Sequence, residues 1–356
     1  MHNLIYNLAH DKINNPISQI FKVFLWILSL FYGIIIGLIK LCYKFKIFRS
    51  SRIDCSVISV GNITWGGTGK TPTVEYIAKK MIAKGRRPAI LSRGYGRRWT
   101  MDEGRGTNFE AMGDEPFMLK LNLPGVPILV GEDRRKTGRR AIEEHKVDTI
   151  ILDDGFGHWR LIRDLDIVVI DALNPFGNNH LIPRGILREP LSSLKRADVF
   201  LLTRVNLAQN DIEPLRKRLN YINPQALIVE SVHNPINLSD QKGNRHSLDY
   251  LKGRNLCIVS SIANPDSFKK TILNLGADIS LNFSFPDHYA YREDDLKKII
   301  ASCNKASLRT IVTTQKDAVR LSILESKDRD IELLILKIEI KITQNEEQFL
   351  RRLSAL

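Results

Sequence analysis

Residues 60–72 read VGNITWGGTGKTP. A short apolar run, SVISV (Ser56 to Val60), leads into this stretch, and TPTVEYIAKKMIAKG follows it. The latter is a helical pattern, with Pro72 tolerated in the first turn and Gly85 as a stop. Strand, glycine-rich loop and helix is the setting in which backbone N–H groups and a helix N-terminus cradle phosphate oxygens. The usual spelling is Gly, four residues, then Gly-Lys-Ser/Thr. Gly69, Lys70 and Thr71 fit it, but Thr64 holds the first glycine position. Gly66, Gly67 and Gly69 give the backbone its freedom, Lys70 would reach the β- and γ-phosphates, and Thr71 would hold Mg²⁺. The expected cradle is therefore Thr64, Trp65, Gly66, Gly67, Thr68, Gly69, Lys70 and Thr71.

A phosphate loop needs an acid at the end of a neighbouring strand to hold the metal or its water. DTIILDD ends on Asp153 and Asp154. Adjacent strand residues point to opposite faces, so a regular strand presents only one of the two, unless its end relaxes. RPAILS, VPILV, DIVVIDA and DVFLLTR read as further strands, with DRRKTGRRAIEEH helical between them. Near-continuous apolar strands alternating with helices predict a P-loop NTPase-like, mostly parallel sheet covered on both faces by helices. The pattern changes between Pro224 and Pro235. Beyond it, NLCIVSSIANP, ISLNFSF and TIVTT alternate with helical stretches and predict a second, smaller α/β domain. LLILKIEIKI is a late strand, and residues 346–356 a closing helix. The expected division is 1–50 anchor, 51–235 P-loop domain, 236–330 smaller domain, and 331–356 a closing strand and helix returning to the P-loop domain.

The 53 basic residues outnumber the 39 acidic ones, giving a net charge of +14, which attracts polyanions. No nucleic-acid recognition motif accompanies the charge, so it argues for an anionic membrane instead. Residues 23–39, VFLWILSLFYGIIIGLI, carry no charge and are at the short end of a membrane span. Lys40, Lys44, Lys46, Arg49 and Arg52 follow with no acid among them, which places the remainder of the chain in the cytoplasm. Gly33 and Gly37 weaken the helix, leaving a span and an embedded interfacial helix both open. Cys42, Cys55, Cys257 and Cys303 form no CxxC pair and read as reduced, unpaired thiols.

Other motifs are weak singly. Asp114 and Glu115 of GDEP open a helix, where the helix dipole favours acids without any function. His288 of FPDHYAY is a lone histidine beside Asp287. The basic clusters at residues 86–98 and 134–140 are ordinarily solvated faces.

Together, VGNITWGGTGKTP, LSRGYGRR, GDEP, ILDDGFGHWRLIRDLDIVVIDA, FGNNHLIPRGILREP, SIANP, FPDHYAY and TTQKDAVRL resemble, in order, the tetraacyldisaccharide 4′-kinase family. The resemblance covers nearly the whole chain, and Thr at the first loop position is familiar there. It implies an ATP-dependent lipid kinase of the bacterial inner membrane, with its catalytic domains on the cytoplasmic side. The acceptor would be the 4′-hydroxyl of a tetraacyl glucosamine disaccharide 1-phosphate, and the chain would work as a monomer. ATP would occupy Thr64 to Thr71. Asp114 would take the proton of the sugar hydroxyl, paired with His288 from the second domain, so that closure of the two domains completes the dyad. Thr71, Glu115, Asp153, Asp154 and Glu189 would surround Mg²⁺. Lys70 and Arg188, with Arg93, would neutralise the transferring phosphoryl group.

The chain departs from the family pattern at Gly157, where glutamine is usual, and at Arg184, Ser261 and Gln315. The rival reading is a membrane-bound P-loop ATPase of the positioning or partition type, which needs neither DHYAY nor REP. A GTPase is disfavoured, because Lys316 and Asp317 of TQKD stand side by side and guanine recognition needs a residue between them.

Overall fold

The computed structural model describes residues 8, 11, 13, 15–93, 112–208, 211–321 and 331–356. The chain forms two compact units: Met1–Arg93, Val126–Val232 and Ile342–Leu356 make one, Gly94–Gly125 and His233–Lys341 the other. Asp114 and Glu115 thus group with the second unit, and the closing helix with the first.

The first unit is built on β1 (Ser56–Gly61), β2 (Pro88–Ser92), β3 (Ile128–Val130), β4 (Thr149–Asp153), β5 (Leu165–Asp171), β6 (Val199–Thr203) and the start of β7 (Leu227–Ser239). The strands are parallel in the order β3-β2-β4-β1-β5-β6-β7. The chain passes from β1 to one side, returns through β4, and continues on the other side of β1. A crevice at the carboxyl end of β1 follows from that reversal, where open α/β sheets take their ligands.

Alternate residues of each strand face opposite layers. Ile150 and Leu152 of β4 pack with Leu91, Leu129 and Ala141, the last from the helix Arg134–His145. Val168, Ile170, Phe200 and Leu202 of β5 and β6 pack with Leu194 and Leu219, the latter from the helix Glu213–Ile222. Burial on both faces is why these strands read as unbroken apolar runs.

The second unit repeats this logic with β9 (Asn255–Ser260), β10 (Asp278–Ser284), β11 (Thr310–Thr314) and β12 (Glu332–Gln344), parallel in the order β10-β9-β11-β12. Leu256 and Ile258 face Phe268 and Ile272 of the helix Pro265–Asn274. Cys257 and Val259 face Ile299 and Cys303 of the helix Glu293–Lys305. A two-residue strand, β8 (Arg245–His246), pairs antiparallel with the end of β7.

Every strand expected from the sequence is present. Missing from that reading are β7, β8, the helix Glu213–Ile222 and the helix Gln315–Leu321. Pro235 lies inside β7, and the prolines at either end of that stretch made a 13-residue strand look like a boundary.

The helix Pro16–Lys44 is, among the described residues, the one long and apolar enough to cross a membrane. Asn15 caps it in a reciprocal pair with Ser18, and Pro16 takes the first turn. One stripe is buried in its own unit: Ser18, Lys22, Leu25 and Ser29. Gly33 lies on the same side, where a Cβ would meet Leu181 Cδ1 at 3.0 Å, so glycine permits that approach. The other faces expose Ile20, Phe24, Phe31, Ile35 and Leu38.

Candidate functional site

The phosphate loop sits at the carboxyl end of β1. Gly66 and Gly69 have φ of 117° and 96°, the region that favours glycine. Thr64 needs no such freedom: it is buried and forms an extended, antiparallel bridge with Leu187. Trp65 N–H donates to Ile186 O at 2.7 Å and Arg188 N–H to Ile63 O at 2.7 Å, extending that pairing on both sides. The missing first glycine is therefore a position held by strand-like pairing. A layer beneath fixes the loop's carbonyls. Thr203 Oγ1 donates to Thr68 O at 2.8 Å, and Arg204, buried in an ion pair with Asp171 at 3.1 Å, donates to Gly67 O.

β4 runs beside β1 with Asp153 opposite Val60. Asp153 is buried and accepts from Ser92 Oγ at 3.2 Å. Asp154 leaves the strand at φ 55°, a left-handed turn that sends its side chain to a different set of partners. Arg188 grips it with both arms, Nη1 to Oδ2 at 2.8 Å and Nη2 to Oδ1 at 2.7 Å, while Lys70 Nζ lies 3.8 Å from Oδ1. Burial alone would raise the Asp154 carboxyl. The Arg188 hydrogen bonds and the Lys70 charge outweigh burial and hold it well below the usual carboxylate range.

Asn62 links these groups. Its Oδ1 accepts from Lys70 at 3.4 Å and from Arg188, and its Nδ2 donates to Thr68 Oγ1 at 3.2 Å. Gly61 comes so close to Phe156 that a Cβ would sit 2.5 Å from its backbone N, which clamps the DDGF turn to the loop. Glu189 takes a different environment from Asp154. Its carboxylate is held by Arg196 at 3.0 Å and Lys40 at 3.3 Å, and Arg196 in turn lies against the rings of Phe156 and Trp159.

Thr71, Asp153 and Asp154 carry hard oxygen donors of the kind Mg²⁺ takes. Among the described residues no group of three His, Cys, Asp or Glu side chains is arranged to hold a metal ion. Such donors would suit a metal brought in with nucleotide phosphates.

The second unit carries the other candidates. Gly113, at φ 86°, turns the chain into the helix Asp114–Asn122, whose first turn holds Asp114 and Glu115. His288 sits at φ 61° in the turn after β10, with Nδ1 3.1 Å from Asp114 Oδ2. Both members of the dyad thus belong to the second unit, so the expectation that each domain supplies one member is replaced by assembly within a single unit. Arg320 pairs with Asp114 and donates to Tyr289 O at 3.0 Å. Lys316 Nζ lies 3.2 Å from His288 Nε2, 3.2 Å from Glu115 and 3.0 Å from Asp287. Arg320 Nη2 lies 3.1 Å from Nδ1, so donor-only cations face both ring nitrogens, and Asp114 Oδ2 shares Nδ1 with Arg320. Burial, aided by the Lys316 charge, lowers the imidazole pKa against the opposing pull of Asp287 and Glu115 and so favours its neutral form. Glu115 is engaged with Lys316 in this cluster.

Sequence reasoning singled out neither Asn62, Thr203, Arg204, Lys316 nor Arg320 as a site residue. Asn62, Lys316 and Arg320 lie inside the quoted motifs VGNIT and TTQKDAVRL, which was the available signal. Arg97 and Arg98 of LSRGYGRR lie outside the described residues.

A glycine loop at the crevice of a parallel sheet, a loop lysine and a carboxylate on the adjacent strand define a P-loop enzyme acting on nucleotide phosphates. The sequence model of the family "Tetraacyldisaccharide-1-P 4'-kinase" matches residues 21–356. The tetraacyldisaccharide 4'-kinase of Halothermothrix orenii is 39% identical over 354 residues, covering 92% of each chain. That of Syntrophus aciditrophicus is 39% identical over 329 residues, covering 88% of this chain and 87% of its own. A crystal structure of LpxK from Aquifex aeolicus in complex with ATP superposes with a TM-score of 0.74 at 28% identity, covering 94% of this chain and 99% of that one. The chain belongs to the tetraacyldisaccharide-1-P 4'-kinase family and is an ATP-dependent kinase of lipid A biosynthesis.

Proposed function

We propose that this chain transfers the γ-phosphate of ATP to the 4′-hydroxyl of a tetraacyl glucosamine disaccharide 1-phosphate, with Asp114 and His288 taking the hydroxyl proton. The observation that carries the reading is the Asp114–His288 contact of 3.1 Å, braced by Arg320 and Lys316. A hydroxyl acceptor requires a base, and an imidazole held against a carboxylate supplies one. In the reaction the acceptor oxygen bonds to the γ-phosphorus as the bond to the ADP oxygen breaks, and the hydroxyl proton passes to the pair. Lys70 and the loop N–H groups bind the phosphates. Arg188 and Asn62 orient Lys70 and Asp154. Thr71, Asp153 and Asp154 would hold Mg²⁺, which supplies charge neutralisation on the phosphate oxygens. Glu189, closed in by Arg196 and Lys40, holds its own segment in place.

The apolar face of the helix Pro16–Lys44 would lie in the inner membrane. Its polar stripe, packed on protein at Ser18, Lys22 and Ser29, fits an embedded helix better than an isolated span. Phe45, Ile47 and Phe48 are exposed among Lys44, Lys46 and Arg49, which suits an anionic, cytoplasmic membrane surface. The positioning ATPase is not favoured, because the family match runs through the dyad to the C-terminus.

Asp114→Ala and His288→Ala test the assignment. Each should lower kcat by roughly 10²–10⁴-fold, the usual contribution of a general base, while ATP binding stays within about threefold. Losses confined to ATP affinity would refute the base role.

A further inference from the structure

The polar stripe of the helix Pro16–Lys44 does more than rest on the first unit. It grips one segment, residues 181–189, at both ends. Ser29 Oγ is 2.8 Å from Leu181 O and accepts the Arg184 N–H at 3.0 Å. Farther along the helix, Tyr32 OH donates to Arg188 O at 2.8 Å, and Lys40 pairs with Glu189 at 3.3 Å and with Ser193. The segment folds on itself between these points, with Gly185 N–H donating to Leu181 O at 2.9 Å and Ile182 N–H to Leu187 O at 2.9 Å. On its other side it is paired with the phosphate loop, through Thr64–Leu187, Trp65 N–H to Ile186 O, and Arg188 N–H to Ile63 O. Its side chain at 188 grips Asp154. The backbone of Arg188 is thus held from the loop by its N–H and from the helix by its carbonyl. Ser29 and Lys40 are eleven residues apart, about three turns, which keeps the contacts on one side of the helix. The apolar residues exposed on the other faces contribute nothing to this grip.

We infer that Tyr32 is a positioning residue, assisted by Ser29 and Lys40, through which the seated helix sets the Arg188 strap and hence the Arg188–Asp154 grip beside the phosphate loop. This rests on the membrane reading of the helix given above. A helix drawn to the bilayer by its apolar face holds the strap in register. A helix displaced from its groove releases the Arg188 carbonyl and leaves the guanidinium without a fixed origin. Catalysis then depends on the membrane helix for more than locating the substrate.

The test uses the full chain and the variants Tyr32→Phe and Ser29→Ala. Vesicles of phosphatidylethanolamine and phosphatidylglycerol are sedimented to read membrane binding, and kcat and KM for ATP are measured with acceptor in the same vesicles. Tyr32→Phe removes one hydroxyl and keeps the ring. It should sediment like the parent and keep its thermal midpoint and its KM for ATP within twofold. Its kcat should fall roughly 3- to 10-fold, the equivalent of one lost hydrogen bond. Ser29→Ala should lower kcat in the same sense, through the other end of the strap. A parent that sediments while both variants turn over within twofold of it would overturn the coupling. So would a fall in kcat that tracks a matching loss of vesicle binding. A parent that stays in the supernatant would remove the membrane reading itself, whatever the variants do.

Discussion

Replacing Arg188 tests whether the Asp154 grip is part of the chemistry. Arg188→Lys keeps the charge and loses the fork, since the three N–H groups of an ammonium cannot serve both carboxylate oxygens and both Asn62 oxygens together. The structure gives Arg188 two bonds to Asp154, at 2.8 and 2.7 Å, one to Asn62 O at 3.0 Å and one to Asn62 Oδ1. Hydrogen bonds to charged groups are worth about 1.5–3 kcal/mol each, and lysine forfeits at least one of the four. The pair is partly open to solvent, with side chains 31% and 19% exposed, so the net loss is set at about 2–3 kcal/mol. If that grip is realised in the transition state, kcat falls about 30- to 150-fold. Arg188→Ala adds a pH signature. Asp154 is held below the usual carboxylate range because Arg188 and Lys70 outweigh its burial. A depressed carboxylate favours the folded, ionised state above the unfolded pKa and loses that advantage as pH falls through the folded one. With Arg188 gone, burial is opposed chiefly by Lys70, the Asp154 pKa rises, and the acid limb of the kcat profile moves to higher pH. The assay is lipid phosphorylation under saturating ATP from pH 4.5 to 8. An Arg188→Lys enzyme within threefold of the parent, or an Arg188→Ala profile with an unmoved acid limb, would refute the reasoning.

Three further outcomes follow from the same geometry. Lys316→Met removes the cation that helps burial depress His288, so the imidazole pKa should rise and the acid limb of kcat/KM should shift upward in pH; an unshifted limb would separate His288 from the titration. Thr203→Val deletes the hydroxyl that holds Thr68 O and should raise KM for ATP roughly 3- to 10-fold with little change in kcat, as measured by initial rates. Gly157→Gln should be tolerated, with stability changed by no more than about 0.5 kcal/mol in a urea melt, because Gly157 is exposed and a Cβ there meets only Glu189 Oε1 at 3.8 Å.

What the sequence makes legible here is local. The phosphate loop, its flanking strand and helix, and the acids ending β4 are contiguous spellings, and the parallel sheet follows from apolar strands that alternate with helices. The contacts that bridge distant parts of the chain are not spelled out. Thr203 and Arg204 brace the loop from the end of another strand, and nothing in DVFLLTR marks them for it. Asp154 and Asp153 differ only because one backbone turns left-handed at φ 55°, which no composition reveals. Asp114 was grouped with the loop by proximity in sequence, but the chain around it joins the second unit. The stripe on the helix Pro16–Lys44 is written in its spacing. Lys22, Ser29, Gly33 and Lys40 recur at helical spacing, but the uncharged run of residues 23–39 masks that stripe behind its hydrophobicity.

The most direct measurement of the central claim supplies the purified full-length chain with ATP labelled at the γ-phosphate, Mg²⁺ and tetraacyldisaccharide 1-phosphate, and follows the label by thin-layer chromatography. Label should enter the lipid, require the acceptor, and disappear in Lys70→Ala. Label released as inorganic phosphate at the same rate with or without acceptor, and none in the lipid, would contradict the account.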